Sequence, residues 1–327
     1  MNAAVGSSLP DTATAAVSVI ICTRNGWSRG FLEATLQSLL AQSLPAREIV
    51  LVDDGSTDGT AIQVQRTYPG VTIVSNAGTG LAAARNTGIA VARCPWVAFI
   101  DDDDLWVPDK LAEQLAQADA CTTPDSFIWV SRYAMLTAQD GRPMVMPTPS
   151  QFASWPACLL ASPIQPSGVL ISKKLLGRIG PFNEQIREGA AYDYWIRCLS
   201  QSIGIRYSDN VLLHYRQHHP QMTAMERRVD HFLVIDALVA PYLAQLPTAL
   251  AHRIGTARLL NNLRSLLVDK GTSAAARYYR HSVLRRIPGP RAILYFLLDS
   301  LFCRFPHGMR RKLRHGAMRV LTGQAIT

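Results

Sequence analysis

The sequence predicts an α/β fold in which a mostly parallel sheet is flanked by helices and is followed by a helical region. Two observations favour this fold. Between residues 17 and 100, short apolar segments rich in β-branched residues alternate with segments of helical periodicity, which is typical of consecutive βαβ units. Three of the predicted strands end in clusters of polar residues, and parallel sheets bind ligands at the carboxyl ends of their strands. We therefore expect a binding site at one edge of this sheet.

The predicted elements follow one another at short spacing. Strands are predicted at residues 17–23, 48–52, 71–74 and 96–100. Helices are predicted at residues 31–40 and 81–92, and a further helix between the second and third strands ends near residue 67. Later elements are a helix at 110–118, strands at 127–130, 133–136 and 168–171, a helix at 173–179, a helix that includes Tyr194 and Leu199, and a strand at 211–216. These elements predict an α/β domain at residues 17–222, between a disordered leader at 1–16 and a basic helical region at 223–327.

Four consecutive aspartates, Asp101 to Asp104, follow the fourth predicted strand. Adjacent carboxylates repel one another, and the end of a buried strand solvates them poorly. A divalent cation would relieve this repulsion, because Mg²⁺ and Mn²⁺ prefer hard oxygen ligands. The alternative is an acidic turn before a helix, and we expect Asp104 in particular to cap that helix. The polar clusters at residues 23–25 and 53–56 favour the binding site, because the turns of alternating units lie side by side.

The composition is that of a globular protein without a membrane span. The chain has 327 residues, of which 48% are hydrophobic and 17% are charged. Its six cysteines are scattered and show no ligand spacing, which favours reduced thiols in the cytoplasm over disulfides. The leader lacks the basic and apolar segments of a secretory signal, and no uncharged apolar run reaches the roughly 18 residues that a span requires.

Five segments of the chain match, in order, the motifs of a known enzyme family. They are residues 17–25, 48–58, 80–86, 99–104 with Pro108 and Lys110, and 215–218. The chain thereby resembles the family 2 glycosyltransferases, which have the GT-A fold, over about residues 17–220. The resemblance implies a metal-dependent, inverting transfer of a sugar from a nucleotide-diphosphate donor, with UDP as the expected nucleotide. The expected acceptor is a hydroxyl of a glycan or a lipid-linked precursor in cell-envelope polysaccharide synthesis.

The resemblance also implies a set of site residues. The donor-binding residues would be Cys22, Thr23, Asn25, Asp54, Arg85, Asp101, Asp102 and His218. Among these, Asp54 would hold the uracil or ribose, Asp102 would face the ribose, and His218 would approach the diphosphate. Asp103 and Asp101 would bind Mg²⁺ or Mn²⁺. From the residues alone, Arg85 could instead pair with an acidic neighbour, and His218 could be a surface residue.

The chain departs from the family pattern at the catalytic base. The family carries a Glu-Asp pair before an aromatic-Asp-x-Trp-x-Arg segment, whereas this chain has Ala190 and Ala191 there. Alanine cannot accept a proton. Glu188 or Asp193 could supply the base, although Asp193 would point about 200° around the helix from position 191. The alternative is a protein that binds a nucleotide sugar as an assembly partner without turning it over.

The C-terminal region is strongly basic. Residues 226–327 contain 17 Lys and Arg against 5 Asp and Glu, whereas the preceding residues have a net charge of −3. An apolar segment at residues 293–302 has basic residues on both sides, which suits a helix lying on an anionic membrane surface, peripheral to the inner face of the cytoplasmic membrane. The alternative is a helical bundle with a solvated basic face. No nucleic-acid motif is present, and we expect no nucleic-acid partner.

Overall fold

The structure is a computed structural model that describes residues 14–136, 143–217, 228–269 and 271–286. The chain divides into two compact units. The first consists of Met1–Ser154 and Pro163–His218, and the second consists of Trp155–Ser162 and His219–Thr327. Most of the predicted leader, residues 1–16, lies outside the described residues. The first strand begins at Ala15, two residues before the predicted end of the leader is passed.

Within the described residues of the first unit, nine strands form one sheet. They are β1 (Ala15–Thr23), β2 (Ala46–Asp53), β3 (Val71–Ser75), β4 (Trp96–Asp101), β5 (Leu105–Trp106), β6 (Phe127–Leu136), β7 (Pro143–Val145), β8 (Val169–Ser172) and β9 (Gly204–Arg216). Their order is β3-β2-β1-β4-β8-β6-β9-β5, with β7 paired to β6. The half formed by β3, β2, β1 and β4 is parallel, as predicted. The other half is mixed, because only β6 and β9 run parallel there while β8, β5 and β7 pair antiparallel.

Helices cover both faces of this sheet. They are α1 (Leu32–Leu40), α2 (Thr60–Thr67), α3 (Leu81–Val91), α4 (Lys110–Asp119), α5 (Lys173–Ile179) and α6 (Ala190–Ser200). Alternate residues of β1 pack into different cores: Ile20 joins the cluster that contains α3, α5 and α6, whereas Ile21 joins the one that contains α1 and α4. Burial on both faces explains why β1 is rich in β-branched residues and does not alternate regularly between apolar and polar ones.

Two details of the sheet differ from prediction. The strands predicted at 127–130 and 133–136 form one strand, β6, whose register against β9 shifts between Val130 and Tyr133. The short strands β5 and β7 were not predicted, since two or three residues carry too little alternation to identify a strand.

The second unit is helical in its described part. Its helices are α7 (Arg228–Leu243), α8 (Thr248–Asp269) and α9 (Gly271–His281). A buried carboxylate, Asp236 on α7, joins them: it pairs with Arg258 of α8 at 2.8 Å and accepts hydrogen bonds from the hydroxyls of Tyr278 and Ser282. Throughout the described ranges, no helix has the length and apolar character needed to cross a bilayer. The predicted membrane-surface segment at 293–302 lies outside those ranges.

Candidate active site

The polar ends of β1, β2 and β4 lie side by side. Cys22 on β1 is paired with Val52 on β2 and with Asp101 on β4, so these three strands end at the same level. The next residue of β1, Thr23, is paired with Asp53. The three polar clusters therefore meet at one edge of the sheet, where a parallel α/β sheet binds its ligands.

Asn25 joins the loops that follow β1 and β2. Its φ is 53°, a left-handed conformation that Asn tolerates better than most residues. Its N–H donates to Ser56 Oγ at 2.8 Å, and its Oδ1 accepts from the Thr57 N–H at 2.7 Å. Asn25 thus holds the two loops together, and its predicted contact with the nucleotide-sugar substrate stays a prediction.

Asp102 is buried, with a side chain that is 7% exposed. Its carboxylate accepts hydrogen bonds from the Thr23 hydroxyl and the Arg29 guanidinium. Gly26 leaves room for them, since a Cβ there would lie 2.2 Å from Thr23 Oγ1 and 2.8 Å from Asp102 Oδ2. Burial raises the pKa of Asp102 to about 6, although Thr23 and Arg29 oppose this effect. Asp102 therefore has partners within the protein, and its predicted contact with ribose stays a prediction.

Asp101 forms an ion pair with Arg85. Arg85 Nη2 lies 3.0 Å from Asp101 Oδ1, and the two side chains are 4% and 33% exposed. Arg85 therefore does pair with an acidic neighbour, and the pair lies at the end of β4. Burial raises the pKa of Asp101, Arg85 lowers it, and the charge of Asp103 raises it again. Asp101 and Asp103 are both partly exposed and lie close enough to interact electrostatically.

Asp104 does not cap the following helix, so that expectation was wrong. The N-cap residue of α4 is Asp109, whereas Asp104 is fully buried and its Oδ1 accepts from the Arg216 N–H on β9 at 3.0 Å. Burial raises the pKa of Asp104 well above its ordinary value, and the charges of Asp101 and Asp103 raise it further. The fourth aspartate therefore anchors a strand distant in sequence, and no local pattern identifies such a contact.

Asp54 directly follows β2, and its carboxylate contacts the residues before α3. Its Oδ1 accepts from Asn76 Nδ2 at 2.6 Å and from the Gly80 N–H at 3.0 Å, and its own N–H donates to the Thr23 carbonyl at 2.8 Å. A negative charge is favourable at a helix N-terminus, where backbone N–H groups lack helical partners. Asp54 therefore belongs to the cluster of strand ends, and its contact with uracil or ribose stays a prediction.

The segment before α6 is attached to α3 next to Arg85. Asn86 donates to the Phe182 carbonyl at 2.9 Å and to Glu184 Oε1 at 2.8 Å, and it accepts from the Phe182 N–H at 2.8 Å. The Arg85 guanidinium lies 5.7 Å from the centre of the Phe182 ring. Glu188 follows in this segment, one residue before the N-cap of α6. Asn86 thus fixes the segment that carries Glu188 beside Arg85, a predicted site residue.

The two candidates for the base have different surroundings. Asp193, in the first turn of α6, is 8% exposed and forms an ion pair with Arg197 at 3.0 Å. Arg197 also donates to the carbonyls of Ile179 and Pro181, so this pair ties the helix to the segment before it. Glu188 is only partly buried. The surroundings of Asp193 indicate a structural role, and the role of either residue as the base stays a prediction.

The carboxylate oxygens at this edge of the sheet suit a divalent cation that a bound substrate would also coordinate. In the described part of the chain, no three His, Cys, Asp or Glu side chains are grouped to hold a metal ion. Asp101 and Asp103 nevertheless offer two partly exposed carboxylates. Mg²⁺ is commonly bound by one or two carboxylates together with substrate phosphates and water. The residues therefore fit a divalent cation whose coordination a bound diphosphate would complete.

Three residues around the site were not identified from the sequence. Arg29 binds Asp102, Asn76 binds Asp54, and Ser167 accepts a hydrogen bond from the Asp101 N–H. A basic residue in the loop after β1 was an available signal for Arg29, whereas small polar residues in loops carry no pattern. The predicted donor-binding residue His218 lies outside the described residues.

Comparisons with known proteins agree with this geometry. Residues 18–151 match glycosyl transferase family 2. A Bacillus subtilis (strain 168) protein, TuaG, named as a teichuronic acid biosynthesis glycosyltransferase, is 38% identical over 133 residues, which are 39% of this chain and half of TuaG. An Escherichia coli protein named UDP-Glc:alpha-D-GlcNAc-diphosphoundecaprenol beta-1,3-glucosyltransferase WfaP is 28% identical over 64% of this chain and 80% of its own length.

Solved structures show the same fold. The crystal structure of S. aureus TarS 1–349 superposes with a TM-score of 0.61 at 17% identity, covering 95% of this chain and 93% of TarS 1–349. A second structure of TarS 1–349, in complex with UDP-GlcNAc, has a TM-score of 0.60. Residues 18–151 of this chain are therefore similar to glycosyl transferase family 2, and the chain has the GT-A fold of the TarS structures.

Proposed function

We propose that this chain is a metal-dependent, inverting glycosyltransferase that moves a sugar from a UDP-sugar to a hydroxyl of a glycan or lipid-linked acceptor during cell-envelope polysaccharide synthesis. The observation that carries the proposal is the convergence of Asp54, Arg85, Asp101 and Asp103 where β1, β2 and β4 end. The names of relatives support it: TuaG is named for teichuronic acid biosynthesis, and WfaP for a UDP-Glc donor and a diphosphoundecaprenol-linked acceptor.

The chemistry requires charge to be stabilised on the leaving diphosphate. Breaking the bond between the anomeric carbon and the diphosphate leaves negative charge on UDP, and a bound Mg²⁺ or Mn²⁺ would neutralise part of it. Asp101 and Asp103 would hold that ion. Arg85, already paired with Asp101 at 3.0 Å, would fix the Asp101 carboxylate and lie beside the nucleotide. Asp54 would then position the nucleoside at the start of α3.

The acceptor hydroxyl needs a general base, because an alcohol is a poor nucleophile at neutral pH. We assign this role to Glu188, because it is partly exposed and lies in the segment that Asn86 attaches to α3 beside Arg85. A positioned base typically contributes 10²- to 10⁴-fold to the rate. A single displacement with Glu188 on the acceptor side would invert the anomeric configuration.

The proposal is tested by UDP release from a panel of UDP-sugars with Mn²⁺, after a thermal-shift screen has identified the sugar that binds. We expect Asp103→Asn to lower turnover at least about 100-fold. We expect Glu188→Gln to lower it about 10²- to 10⁴-fold while UDP affinity stays within about twofold. Glu184→Gln is the matched control, because Glu184 lies in the same segment and its hydrogen bond from Asn86 survives in the amide. Full activity of Glu188→Gln would remove Glu188 from the mechanism.

A second candidate function is a nucleotide-sugar binding or assembly partner without turnover. The specific observation that favours it is the Ala190-Ala191 pair at the usual position of the base. This candidate predicts UDP-sugar binding with neither transfer nor donor hydrolysis, and the same donor panel distinguishes the two functions.

We extend the proposal to an anionic membrane surface as the place of action. Exposed basic side chains of the second unit include Arg253 and Arg264 on α8 and Arg280 on α9. Basic clusters attract anionic lipids by about 1 kcal/mol per residue near the surface. Sedimentation with vesicles tests this extension. Binding to vesicles that contain anionic lipid, but not to neutral vesicles, supports it. Equal amounts of protein left in the supernatants of anionic and neutral vesicles contradict it.

A further inference from the structure

Ser167 contacts both strands that flank the four aspartates. It lies in a short 3₁₀ turn, Pro166–Gly168, and is 1% exposed. Its Oγ accepts from the Asp101 N–H at the end of β4 at 3.0 Å, and its carbonyl accepts from Trp106 Nε1 on β5 at 2.8 Å. One residue thereby connects the segment before the aspartates to the segment after them.

The Asp101 N–H needs this partner because the strand beside it has ended. The antiparallel pairing of β4 with β8 covers only Trp96 to Ala98, and β8 begins at Val169. On that side of β4, the Ser167 hydroxyl replaces the carbonyl that a longer β8 would offer to Asp101. A buried N–H without an acceptor is costly, so the hydroxyl fixes where the backbone of Asp101 lies.

The turn that carries Ser167 is itself held in place. Gln114, on α4, donates to the Gly168 carbonyl at 2.9 Å and accepts from Nζ of the buried Lys110 at 2.6 Å. Gly168 permits close packing, since a Cβ there would lie 2.8 Å from Ser131 Oγ. The Ser167 hydroxyl is therefore presented to Asp101 by a fixed support rather than by a free loop.

We propose that Ser167 is a positioning residue that sets the placement of the Asp101 and Asp103 carboxylates for a divalent cation bound with a nucleoside diphosphate. The proposal rests on the proposed function, because it assumes that these carboxylates hold the ion. Arg85 fixes the Asp101 side chain, and Ser167 fixes its backbone. Without the hydroxyl, the end of β4 can move, and the spacing of the two carboxylates loosens.

The test measures Mn²⁺ binding directly, by the loss of the free Mn²⁺ signal in electron paramagnetic resonance with UDP present. Mutation of a residue that hydrogen-bonds to a metal ligand commonly lowers the affinity for the metal 10- to 100-fold. We expect Ser167→Ala to raise the apparent Kd for Mn²⁺ about tenfold while metal-free UDP binding changes less than about twofold. Trp106→Phe, which removes the hydrogen bond to the Ser167 carbonyl and keeps an aromatic ring beside Lys110, should raise that Kd about threefold. It keeps the proposal testable if Ser167→Ala does not fold.

Ser131→Ala is the matched control. Ser131 is also 1% exposed, and its hydroxyl has no hydrogen-bond partner among the described residues. We expect this control to leave Mn²⁺ affinity within about twofold. If wild type binds Mn²⁺ with UDP but Ser167→Ala and Trp106→Phe bind it equally well, or if Ser131→Ala weakens binding as much, the positioning role is wrong. If wild type binds no Mn²⁺ with UDP, the proposed metal site fails first, and the role of Ser167 fails with it.

Discussion

The two halves of the sheet contribute to the candidate site in different ways. In the parallel half, β1, β2 and β4 end at one level and carry the polar side chains themselves. In the mixed half, the contributions are supports: β9 offers the Arg216 N–H to Asp104, and the turn before β8 offers Ser167 to Asp101. The comparison teaches that one half supplies the groups that would meet a ligand, while the other half determines where those groups lie.

The largest expected effect comes from crowding the parallel half with Gly26→Ala. The new methyl would lie 2.2 Å from Thr23 Oγ1 and 2.8 Å from Asp102 Oδ2, so the buried hydrogen bond between these residues must shift. Overpacking of this kind typically costs about 1–3 kcal/mol, and we expect about 3 kcal/mol here because a buried carboxylate is also disturbed. Urea unfolding measures the free energy, and calorimetric titration with UDP should show at least about tenfold weaker binding.

Gly177→Ala is the control for that substitution. Gly177 lies in α5, and a Cβ there would meet no atom within 4 Å. Alanine has the higher helix propensity, so this variant should be more stable by about 0.5–1 kcal/mol with unchanged UDP binding. An equally stable Gly26→Ala protein that binds UDP normally would show that the Thr23–Asp102 contact does not constrain the site.

The second prediction concerns the connection between α3 and the segment that carries Glu188. Asn86→Ala removes two hydrogen bonds to the Phe182 backbone and one to Glu184, which should cost about 2 kcal/mol. Because a small displacement of a catalytic group can lower the rate about 100-fold, we expect kcat to fall about 10- to 100-fold while the donor KM changes less than about threefold.

Asn183→Ala provides the comparison for this second prediction. Asn183 is exposed, and its amide oxygen accepts only a local hydrogen bond from the Gln185 N–H among the contacts described for it. Its loss should cost under about 0.5 kcal/mol and leave kcat unchanged. Should Asn86→Ala raise the donor KM and preserve kcat, the mixed half would take part in donor binding rather than in placing the base.

The contrast between the halves also explains what the sequence could predict. The strands and helices of the parallel half follow from local periodicity, and the convergence of Thr23, Asp54 and Asp101 follows from the rule that parallel strands end together. The supports could not be predicted in this way. Asp104 binds a backbone N–H 112 residues further along the chain, and Ser167 is separated from Asp101 by 66 residues. Such contacts depend on how β8 and β9 pair, which no local pattern encodes.

The smallest expected effect tests the loops of the parallel half through pH. Burial raises the pKa of Asp58, but hydrogen bonds from Thr60 and Ser28 outweigh it and lower the pKa to about 2. Since the pKa in the folded state lies below the ordinary aspartate value of 3.8, Asp58 stabilises the fold above about pH 4 and loses this contribution as the pH falls through 2. We expect Asp58→Asn to cost about 1 kcal/mol at pH 7, after allowance for solvent exposure, and almost nothing near pH 2. Urea unfolding of both proteins between pH 2 and 7 measures this difference.

A difference that is constant over that range would mean that the loops after β1 and β2 are held by neutral contacts, such as those of Asn25, rather than by the Asp58 charge.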